Sequence, residues 1–407
     1  MTRGFFNRES LKSPNIKGKP LTCASCGLYK DCRSPKMKPY GNFRKHILNI
    51  GEAPGEHEDR RGKPWQGRTG RLLQETYERY GIDLFEDCVN INSVNCRPPN
   101  NYTPTNHQID CCRVMMVNQA LDEYNPKAIV ILGGSALHSF LKHRYKKELH
   151  GINTWRGYAI PDQEYKCWVF PIWHPSFVHR MERAREVRTI WHQDIQHIVE
   201  RYNVPLPSWP KPKIHMIGEL DVLNDIDTGI ISVDYETTGL KPHAHGHQIV
   251  SASVSPDENT AYTFLMPHTK RKREPFIRLL TNRSIAKIGH HIKFEDTWTR
   301  HKLRVLVENW AFDSMLAAHI LDNRSNTTSL SFQEYVNLGT LGYDEEVAPY
   351  LKSIDNKDGN SMNTILDLIK TSQGIEKLLT YNAMDTITQF RIANIQMKRM
   401  EFDFLPF

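Results

Sequence analysis

Short apolar runs followed by glycine or proline recur through the first two hundred residues of the chain. The stretch HILNIGEAPG indicates a buried strand that enters a turn, and GRLLQETYERYG indicates an amphipathic helix that ends at Gly81. The stretch KAIVILGGSALHSFL repeats the order of strand, glycine turn and helix, and YKCWVFPIWHPS adds a further strand. Strands that alternate with helices predict a layered α/β domain.

The pattern changes after a proline-rich segment. The stretches GIISVDYETTGL, QIVSASVS and AYTFLMP predict three successive strands of a meander, and SMLAAHILD, SLSFQEYV and TILDLIKTS predict helices after it. This half is also α/β, with a different strand order. The four prolines of YNVPLPSWPKPKIHMI interrupt helix and strand and favour a stiff extended connector. We therefore predict two domains, residues 1–203 and 214–407, joined by a linker over residues 204–213.

The composition is that of a globular protein and does not by itself identify a function. The chain has 407 residues, of which 39% are hydrophobic and 24% charged, and this is close to the globular average. Its net charge of +7 suits a polyanionic partner but also the surface of any basic enzyme. No apolar run approaches the roughly 18 residues that span a bilayer, and MTRGFFNRES lacks the apolar region of a secretory signal. We therefore expect a reducing cell interior and no membrane partner.

The eight cysteines all lie in the first 167 residues. Structural disulfides are disfavoured in a reducing compartment, so this crowding needs another explanation. The stretch CASC supplies Cys23 and Cys26, and CRPPNNYTPTNHQIDCC begins with Cys96 and ends with Cys111 and Cys112. That second stretch contains too much proline and asparagine to be a helix throughout. Two such pairs of thiolates could hold zinc.

Carboxylates are the informative residues of the second half. In SVDYET the two-residue period of a strand points Asp234 and Glu236 to the same face, where they repel unless a cation lies between them. In YNAMD, Tyr381 and Asp385 are four residues apart and therefore neighbours on one face of a helix. Oxygen ligands without histidine or cysteine suit Mg²⁺ or Mn²⁺ rather than zinc.

The stretches DYETTGL, GHHIKFED and YNAMD, in this order and spacing, resemble the three motifs of DEDD-type 3′→5′ exonucleases that carry a tyrosine. The most similar members are the proofreading domains of family A DNA polymerases, and the resemblance covers the chain from about residue 214 onward. It implies a ribonuclease H-like fold with a mixed sheet. It also implies two Mg²⁺ or Mn²⁺ ions, a water oriented by Tyr381, and the metal ligands Asp234, Glu236, Glu295 and Asp385.

Two positions depart from that family pattern. The family has an aspartate directly after the aromatic residue of its second motif, where this chain has Glu295, and Asp296 would lie about 100° further round a helix. We predict Glu295 as the ligand. His291 replaces the asparagine that the family carries before this motif. The histidine-rich stretch HAHGH follows TTGLKP, and we predict a surface loop there rather than a metal site.

In the first half, GEAPGEHEDRRGKPWQG combines a turn that exposes backbone N–H groups with several acids and an aromatic residue, which could hold an anion or a base. Together, CASC, GEAPGEHEDRRGKPWQGRTGRLL, NSVNCRPPN and WHPSFVHR resemble the iron–sulfur, family 4 type of uracil-DNA glycosylase. The resemblance covers roughly residues 20 to 200 and implies an α/β/α sandwich. It also implies a [4Fe–4S] cluster held by Cys23, Cys26, Cys96 and Cys112.

The same resemblance implies roles for five residues of the base pocket. Trp65 stands where the family has a phenylalanine that stacks on the extruded base, Asn92 would read the Watson–Crick edge of uracil, and His174 would donate to a base oxygen. A carboxylate must steady the oxocarbenium-like sugar or position water. Glu52 and Glu58 are both candidates, and the sequence does not rank them.

We predict a bifunctional DNA-processing enzyme that trims mispaired 3′ ends and excises or senses uracil. The alternative keeps an active exonuclease and makes the first domain a noncatalytic reader of uracil or of a modified base, which tethers a polymerase to DNA. A third interpretation is a phage factor that acts without any polymerase. Glycosylase-like and proofreading modules in one chain resemble the N-terminal part of some bacteriophage polymerases. We therefore expect DNA and a polymerase as partners, the host cytoplasm as location, and a polymerase fragment or one piece of a split polymerase.

Overall fold

The computed structural model describes residues 20–355 and 357–401. Their contacts divide the chain into two compact units, Met1–Pro207 with Leu338–Thr340, and Ser208–Asn337 with Leu341–Phe407. The division therefore falls inside the proline-rich segment that the sequence indicates as a connector. Residues 205–212 form no helix or strand there.

The first domain is built on a five-stranded sheet of order β2-β1-β3-β5-β4. Four of its strands are parallel, and the short edge strand β4 runs antiparallel to β5. The strands are β1 Ile47–Gly51, β2 Cys88–Asn92, β3 Ala128–Leu132, β4 Ile160–Asp162 and β5 Cys167–Ile172. The helices are α1 Cys23–Cys26, α2 Glu56–Arg61, α3 Arg68–Arg79, α4 Asn106–Cys112, α5 Asn118–Tyr124, α6 Gly134–Leu141, α7 Ile152–Trp155, α8 Pro175–Arg180 and α9 Arg185–Arg201.

Both faces of this sheet are buried, as the near-continuous apolar strands require. On one face Val130 and Leu132 pack with Tyr77 of α3 and Trp191 of α9. Helix α6 packs against β1 and β3. The carboxyl ends of β1, β2, β3 and β5 consequently meet at one edge of the sheet, where open α/β folds place their ligands.

The second domain has a six-stranded mixed sheet of order β11-β10-β7-β8-β9-β6. Its central meander β7-β8-β9 is antiparallel, whereas β10 and β11 continue the sheet in parallel from β7. The strands are β6 Lys213–Met216, β7 Ile230–Thr237, β8 Ile249–Ser255, β9 Thr260–Leu265, β10 Ala286–Gly289 and β11 Trp310–Asp313. The helices are α10 Lys270–Thr281, α11 Ile292–Trp298, α12 Ser314–Leu321, α13 Leu330–Leu338, α14 Ala348–Leu351, α15 Ile365–Leu368 and α16 Ser372–Arg399.

These two domains confirm the predicted fold class, including the meander and the mixed second sheet. One predicted element differs in length. The stretch TILDLIKTS forms only the four-residue helix α15, because Thr371 begins a new helix there by accepting a hydrogen bond from the backbone N–H of Gly374 at 3.0 Å. Among residues 20–355 and 357–401, no helix has the length and apolar character that a membrane span requires.

Candidate active sites

A cavity of about 610 Å³ opens at the carboxyl edge of the first sheet. It is lined by all five residues that the sequence proposes for base binding and glycosylase chemistry: Glu52, Glu58, Trp65, Asn92 and His174. Three of them follow or end a parallel strand, since Glu52 comes after β1, Asn92 ends β2 and His174 follows β5. The topology therefore brings together residues that lie far apart in the sequence.

Gly51 allows the cavity wall to form. A Cβ at this position would lie 2.5 Å from Oδ1 of Asn92 and 3.0 Å from the indole of Trp65. The absence of a side chain thus lets both groups approach the end of β1. Within the described part of the chain, the side-chain amide of Asn92 has no hydrogen-bond partner although the residue is 5% exposed, so both ends of that amide remain available to a ligand.

His174 is held in one orientation and one tautomer. It caps helix α8, and its Nδ1 accepts a hydrogen bond from the backbone N–H of Ser176 at 3.2 Å, with the Ser176 hydroxyl 2.8 Å away. Because a backbone N–H can only donate, the proton of the neutral ring must sit on Nε2. Burial, assisted by the positive charge of Arg180, lowers the pKa of His174 to about 4. The ring is therefore neutral at physiological pH.

The two candidate acids have different surroundings. Glu58 accepts three backbone N–H groups, from Gly55 at 3.1 Å, from Gln66 at 2.7 Å and from Gly67 at 2.8 Å. These bonds tie the start of α2 to the start of α3 and so stabilise the loop between the two helices. Glu52 accepts a hydrogen bond from the hydroxyl of Ser135 at 2.9 Å and keeps further acceptor positions at the cavity.

Trp65 forms an apolar wall of the cavity and is 8% exposed. Its ring centroid lies 5.7 Å from that of His174, and the two planes are inclined by 35°. Its backbone has φ of 58°, in the left-handed region that a bulky residue rarely adopts. Such strain is typical of positions where the surrounding structure dictates the direction of a side chain.

A second, smaller cavity lies beside α1 and α4. Its lining includes the four predicted cluster ligands Cys23, Cys26, Cys96 and Cys112, and also Cys111. Backbone N–H groups point at two of the predicted ligands: Lys36 donates to the sulfur of Cys96 and Asn95 to that of Cys112, each at 3.2 Å. Such N–H···S bonds stabilise thiolates in iron–sulfur sites.

The spacing of these sulfurs suits a cluster better than one zinc ion. Four sulfurs around a single zinc lie about 3.8 Å apart, as tetrahedral bonds of roughly 2.3 Å require. Among the described residues, no three cysteine sulfurs lie within 4.8 Å of one another. Cys111 has other neighbours, since its sulfur lies 3.6 Å from Nε2 of His107 and 4.0 Å from the hydroxyl of Ser25. The donor set and the cavity therefore fit a [4Fe–4S] cluster held by the four predicted cysteines.

The second domain brings three carboxylates together at the face of its sheet. Asp234 and Glu236 on β7 and Asp385 on α16 each present an oxygen within 4.8 Å of the others, and all three are buried. Burial and mutual repulsion raise the pKa of Asp234 and of Glu236 well above the ordinary range. Three buried like charges without a cation are unfavourable, so this arrangement fits the predicted divalent metal ions.

The structure distinguishes the two adjacent acids of the second motif. Glu295 on α11 is 3% exposed, its pKa is raised well above the ordinary range by burial and by Asp234, and its Oε2 has no hydrogen-bond partner among the described residues. A bound cation would satisfy that oxygen. Asp296 instead pairs with Arg300 at 2.5 Å and accepts a hydrogen bond from the indole of Trp310 at 3.2 Å.

Two tyrosines adjoin Asp385. Tyr381 lies one helical turn before it on α16, and the hydroxyl of Tyr343 donates a hydrogen bond to its Oδ1. The two rings are 5.8 Å apart. Burial and the charge of Asp385 raise the pKa of both hydroxyls well above the usual tyrosine value, so both remain protonated donors.

Other polar residues of the second domain have structural partners. Asp313 accepts hydrogen bonds from the backbone N–H groups of His291 at 3.0 Å and Ile292 at 2.9 Å, and it also caps α12. In the histidine-rich stretch, His247 is buried and contacts the carbonyl oxygen of Asn360 at 2.8 Å. Among the described residues, this stretch contributes to no group of metal-binding side chains.

Sequence reasoning missed several residues that contact the sites. They are Ser135 beside Glu52, Ser176 beside His174, Tyr343 beside Asp385, and the buried amides Asn382 and Gln389 beside Asp234. One signal was present for the amides: with Asp385 they form a polar row at positions i, i+3 and i+7 on α16. Ser135 and Tyr343 had no comparable signal, because their partners are distant in sequence. Ser176 lies only two residues after His174 in WHPS, so its contact was within reach of the sequence.

Comparison with known proteins gives a match for each domain. Residues 38–194 match the Uracil DNA glycosylase superfamily, and residues 219–401 match the 3′-5′ exonuclease family. A type-4 uracil-DNA glycosylase of Thermotoga maritima is 37% identical over 184 residues, which cover 45% of this chain and 91% of that protein. The matches confirm both resemblances and identify a hydrolase with an exonuclease domain.

Two further relatives share less with the chain. A DNA polymerase of Bacillus phage SP01 is 22% identical over 353 residues, which cover 78% of this chain but 37% of that polymerase. The chain therefore spans only about a third of the polymerase's length. Among solved structures, Brucella melitensis NrnC aligns with 19% identity and a TM-score of 0.33 over 47% of this chain and 83% of that chain.

Proposed function

In its first domain the chain belongs to the type-4 uracil-DNA glycosylase family, and from that premise we propose that it excises uracil from DNA there and digests DNA from 3′ ends with its second domain. The observation that carries the first activity is one cavity that combines the unpaired amide of Asn92, the Nε2–H of neutral His174 and the carboxylate of Glu52. Residues 1–203 and 214–407 are the proposed functional domains, with residues 204–213 as the linker.

Base selection follows from the amide of Asn92. Uracil presents an N3–H donor and an O4 acceptor side by side, and an amide pairs with both through its oxygen and its NH₂ group. Cytosine presents the reverse pattern at these positions, so the amide orientation that pairs with uracil does not pair with cytosine. Trp65 supplies an apolar surface against which an extruded base can stack.

Bond cleavage requires stabilisation of the departing uracil anion and of the sugar cation. The Nε2–H of His174 donates to a base oxygen as negative charge develops there, and a neutral donor needs no proton transfer to do so. Glu52 positions the attacking water and offsets the positive charge of the oxocarbenium-like sugar. The hydroxyl of Ser135 holds Glu52 in place for this role, whereas Glu58 keeps the loop folded.

The cysteine cavity has a structural part in this function. A [4Fe–4S] cluster bound there supplies covalent attachment between α1 and the end of α4. Cys23 and Cys26 lie on α1, Cys112 ends α4, and Cys96 lies in the loop after β2. The four thiolates thereby fix the loop that follows Asn92, and Pro98 and Tyr102 of this loop line the base cavity.

In the second domain, Asp234, Glu236, Glu295 and Asp385 are the proposed ligands of two Mg²⁺ or Mn²⁺ ions. Such ions activate water and stabilise the leaving 3′ oxygen in phosphodiester hydrolysis. The chain itself contributes the buried carboxylates and a tyrosine hydroxyl, from Tyr381, that orients the water. Since its hydroxyl keeps its proton, Tyr381 acts as a hydrogen-bond donor and not as a base.

One preparation can test both activities separately. The substrate is a single-stranded oligonucleotide with one uracil, and its 3′ end is blocked by phosphorothioate linkages in one arm and free in the other. We expect alkali-labile abasic sites on the blocked strand in the presence of EDTA, and mononucleotide release from the free strand only with Mg²⁺ or Mn²⁺. Uracil binding without abasic product at enzyme excess would instead show a noncatalytic reader.

The setting of these activities is DNA replication. The similarity to a phage DNA polymerase supports a role beside polymerase activity in an infected bacterial cell. There, 3′ trimming would serve proofreading, and the glycosylase domain would act on uracil in the copied DNA. Co-purification of the tagged chain from infected cells with polymerase activity would support this context, and purification free of such activity would contradict it.

A further inference from the structure

A polar layer lies between the second sheet and helix α16. Ser251 and Ser253 on β8 pair in register with Glu236 and Asp234 on β7, and their side chains point toward the helix. Apolar neighbours such as Val233 and Val254 pack on the opposite face. The side of the helix that faces these serines carries the polar residues Asn382, Thr386 and Gln389, each no more than 1% exposed. Buried polar groups of this kind persist only when they are hydrogen-bonded.

Two side-chain amides of this layer donate hydrogen bonds to the carboxylate of Asp234. Nδ2 of Asn382 donates to its Oδ2 at 2.7 Å, and Nε2 of Gln389 donates to its Oδ1 at 2.8 Å. The two donors are seven residues apart on α16, so they approach the carboxylate from the same face of the helix, about two turns apart. Each oxygen of Asp234 therefore has one fixed donor, and the plane of the carboxylate cannot rotate freely.

Two serines hold the oxygen end of each amide. The hydroxyl of Ser251 donates to Oδ1 of Asn382, and that of Ser232 donates to Oε1 of Gln389, both at 3.0 Å. If either amide were turned over, its oxygen would face the carboxylate and its NH₂ group would lose the acceptor. Because an ionised carboxylate can only accept, the NH₂ groups face Asp234, and the serine hydroxyls hold the amides in this orientation from the other end.

The donors leave room for metal binding. An ionised carboxylate offers about four acceptor positions, two on each oxygen. The amides occupy one position on each oxygen, so one remains on each for a cation. We propose that Asn382 and Gln389, held by Ser251 and Ser232, are positioning residues that preset the carboxylate of Asp234 for divalent metal ions. This inference rests on the proposed metal-dependent activity of the second domain.

The amide pair also sets the distance between ligands on different elements. Asp385 lies on the same face of α16 as Asn382 and Gln389, between the two along the helix. The two bonds to Asp234 therefore tie the strand that carries one ligand to the helix that carries another. Ligand orientation by such outer partners typically changes metal affinity or activity by about 10- to 100-fold when the partner is removed.

Shape-conserving substitutions test this proposal. Asn382→Leu and Gln389→Met remove the NH₂ groups while keeping side-chain volume close to the original. Gln396→Met is the matched control, because Gln396 is also fully buried on α16 but donates to the carbonyl of Ser314, away from Asp234. Ser232→Ala and Ser251→Ala are milder variants. They keep both NH₂ donors and remove only the hydroxyls that hold the amides from the other end.

Two readouts separate positioning from folding. Mn²⁺ binding to the full chain is measured by calorimetry, and 3′ digestion is measured as a function of Mn²⁺ concentration. We expect Asn382→Leu and Gln389→Met to raise the Mn²⁺ concentration for half-maximal binding and digestion by about 10- to 100-fold, with partial rescue of the rate at high Mn²⁺. The serine variants should show a smaller shift in the same direction. Gln396→Met should bind Mn²⁺ as the unsubstituted chain does.

Each result of these measurements supports or overturns the proposed positioning role of Asn382 and Gln389. Unchanged Mn²⁺ binding in both amide variants would overturn it, and so would an equal loss in Gln396→Met, since that loss would reflect helix packing alone. Should an amide variant fail to fold, as seen by loss of its thermal transition, the serine variants carry the test, and unchanged Mn²⁺ dependence in both would overturn it. If the unsubstituted chain binds Mn²⁺ but digests no DNA, the proposed function fails while the binding arm still tests the amides.

Discussion

Nδ1 of His174 accepts a hydrogen bond from the backbone N–H of Ser176 at 3.2 Å, and this contact places the ring proton on Nε2 at the base cavity. A backbone donor cannot reverse its role, so the tautomer survives changes of side chain at position 176. The proposed hydrogen bond to the leaving base therefore depends on the path of the backbone at the start of α8.

The first prediction concerns pH. The pKa of His174 is lowered to about 4, so the neutral donor should persist down to that pH. Uracil release should therefore show no loss attributable to His174 between pH 8 and pH 5.5. His174→Ala should reduce the single-turnover rate by about 100-fold, as for loss of one donor to a developing oxyanion.

The lowered pKa of His174 also makes the folding stability depend on pH. Below its ordinary pKa of about 6.5, the histidine of the unfolded chain takes up a proton that the folded chain does not. Folding stability should therefore fall as pH decreases from about 6.5 toward 4, and less so in His174→Ala. Ser176→Ala is the control, because it keeps the backbone donor and should retain the rate within about threefold. A large loss in this control would contradict the tautomer assignment.

The second prediction separates the two acids of the first domain. Glu52→Gln should reduce uracil release by about 100-fold or more with little change in melting temperature, because it removes a charge that stabilises the sugar cation. Glu58→Gln should lower the free energy of unfolding by about 2 kcal/mol, because its charge strengthens bonds to three backbone N–H groups. Thermal melts and single-turnover assays on both variants measure the difference. The reverse outcome would exchange the two roles.

The third prediction concerns the second motif of the exonuclease. Glu295→Gln should abolish 3′ digestion to the same extent as Asp234→Ala, because its carboxyl is buried and its pKa is raised by burial and by the charge of Asp234. Asp296→Asn should keep activity within about threefold, since an exposed pair such as that with Arg300 contributes under about 1 kcal/mol. Digestion that persists in Glu295→Gln and disappears in Asp296→Asn would refute the assignment.

The fourth prediction links metal, pH and stability. Without metal, the pKa values of Asp234, Glu236 and Glu295 are raised in the folded chain, so this chain holds protons that the unfolded chain has lost. Stability from these groups is present below the unfolded pKa of about 4 and is lost as pH rises through their folded values. Mn²⁺ should therefore raise the melting temperature more at pH 8 than at pH 5.5. An equal gain at both pH values would contradict this account.

A separate test concerns the cysteine cavity. Cys112→Ser should remove the brown colour and the iron from the purified chain, because its sulfur accepts the N–H bonds typical of a cluster ligand. Cys111→Ser should keep both, since that sulfur lies beside His107 and Ser25. Iron analysis and visible absorbance provide the measurements. Zinc in place of iron in the freshly purified protein would overturn the cluster.

Much of the fold follows from local pattern. The apolar runs around Ile47, Ala128 and Val233 predict their strands because a buried strand needs apolar side chains whatever its neighbours are. The helix from Arg68 to Arg79 follows from its periodicity. The short helix at Ile365 was predicted too long, because Thr371 caps the start of the next helix through the backbone N–H of Gly374.

By itself, the sequence determined the two-domain α/β organisation, the order of the motifs and the residue types available for chemistry, because these depend on composition and spacing along the chain. Only the tertiary structure showed that neighbouring acids have different partners, as with buried Glu295 beside the ion-paired Asp296, and Glu52 on Ser135 against Glu58 on backbone N–H groups. It also revealed the amides of Asn382 and Gln389 around Asp234. These choices rest on hydrogen bonds between residues as many as 155 positions apart, which exist only once helix and sheet are packed together.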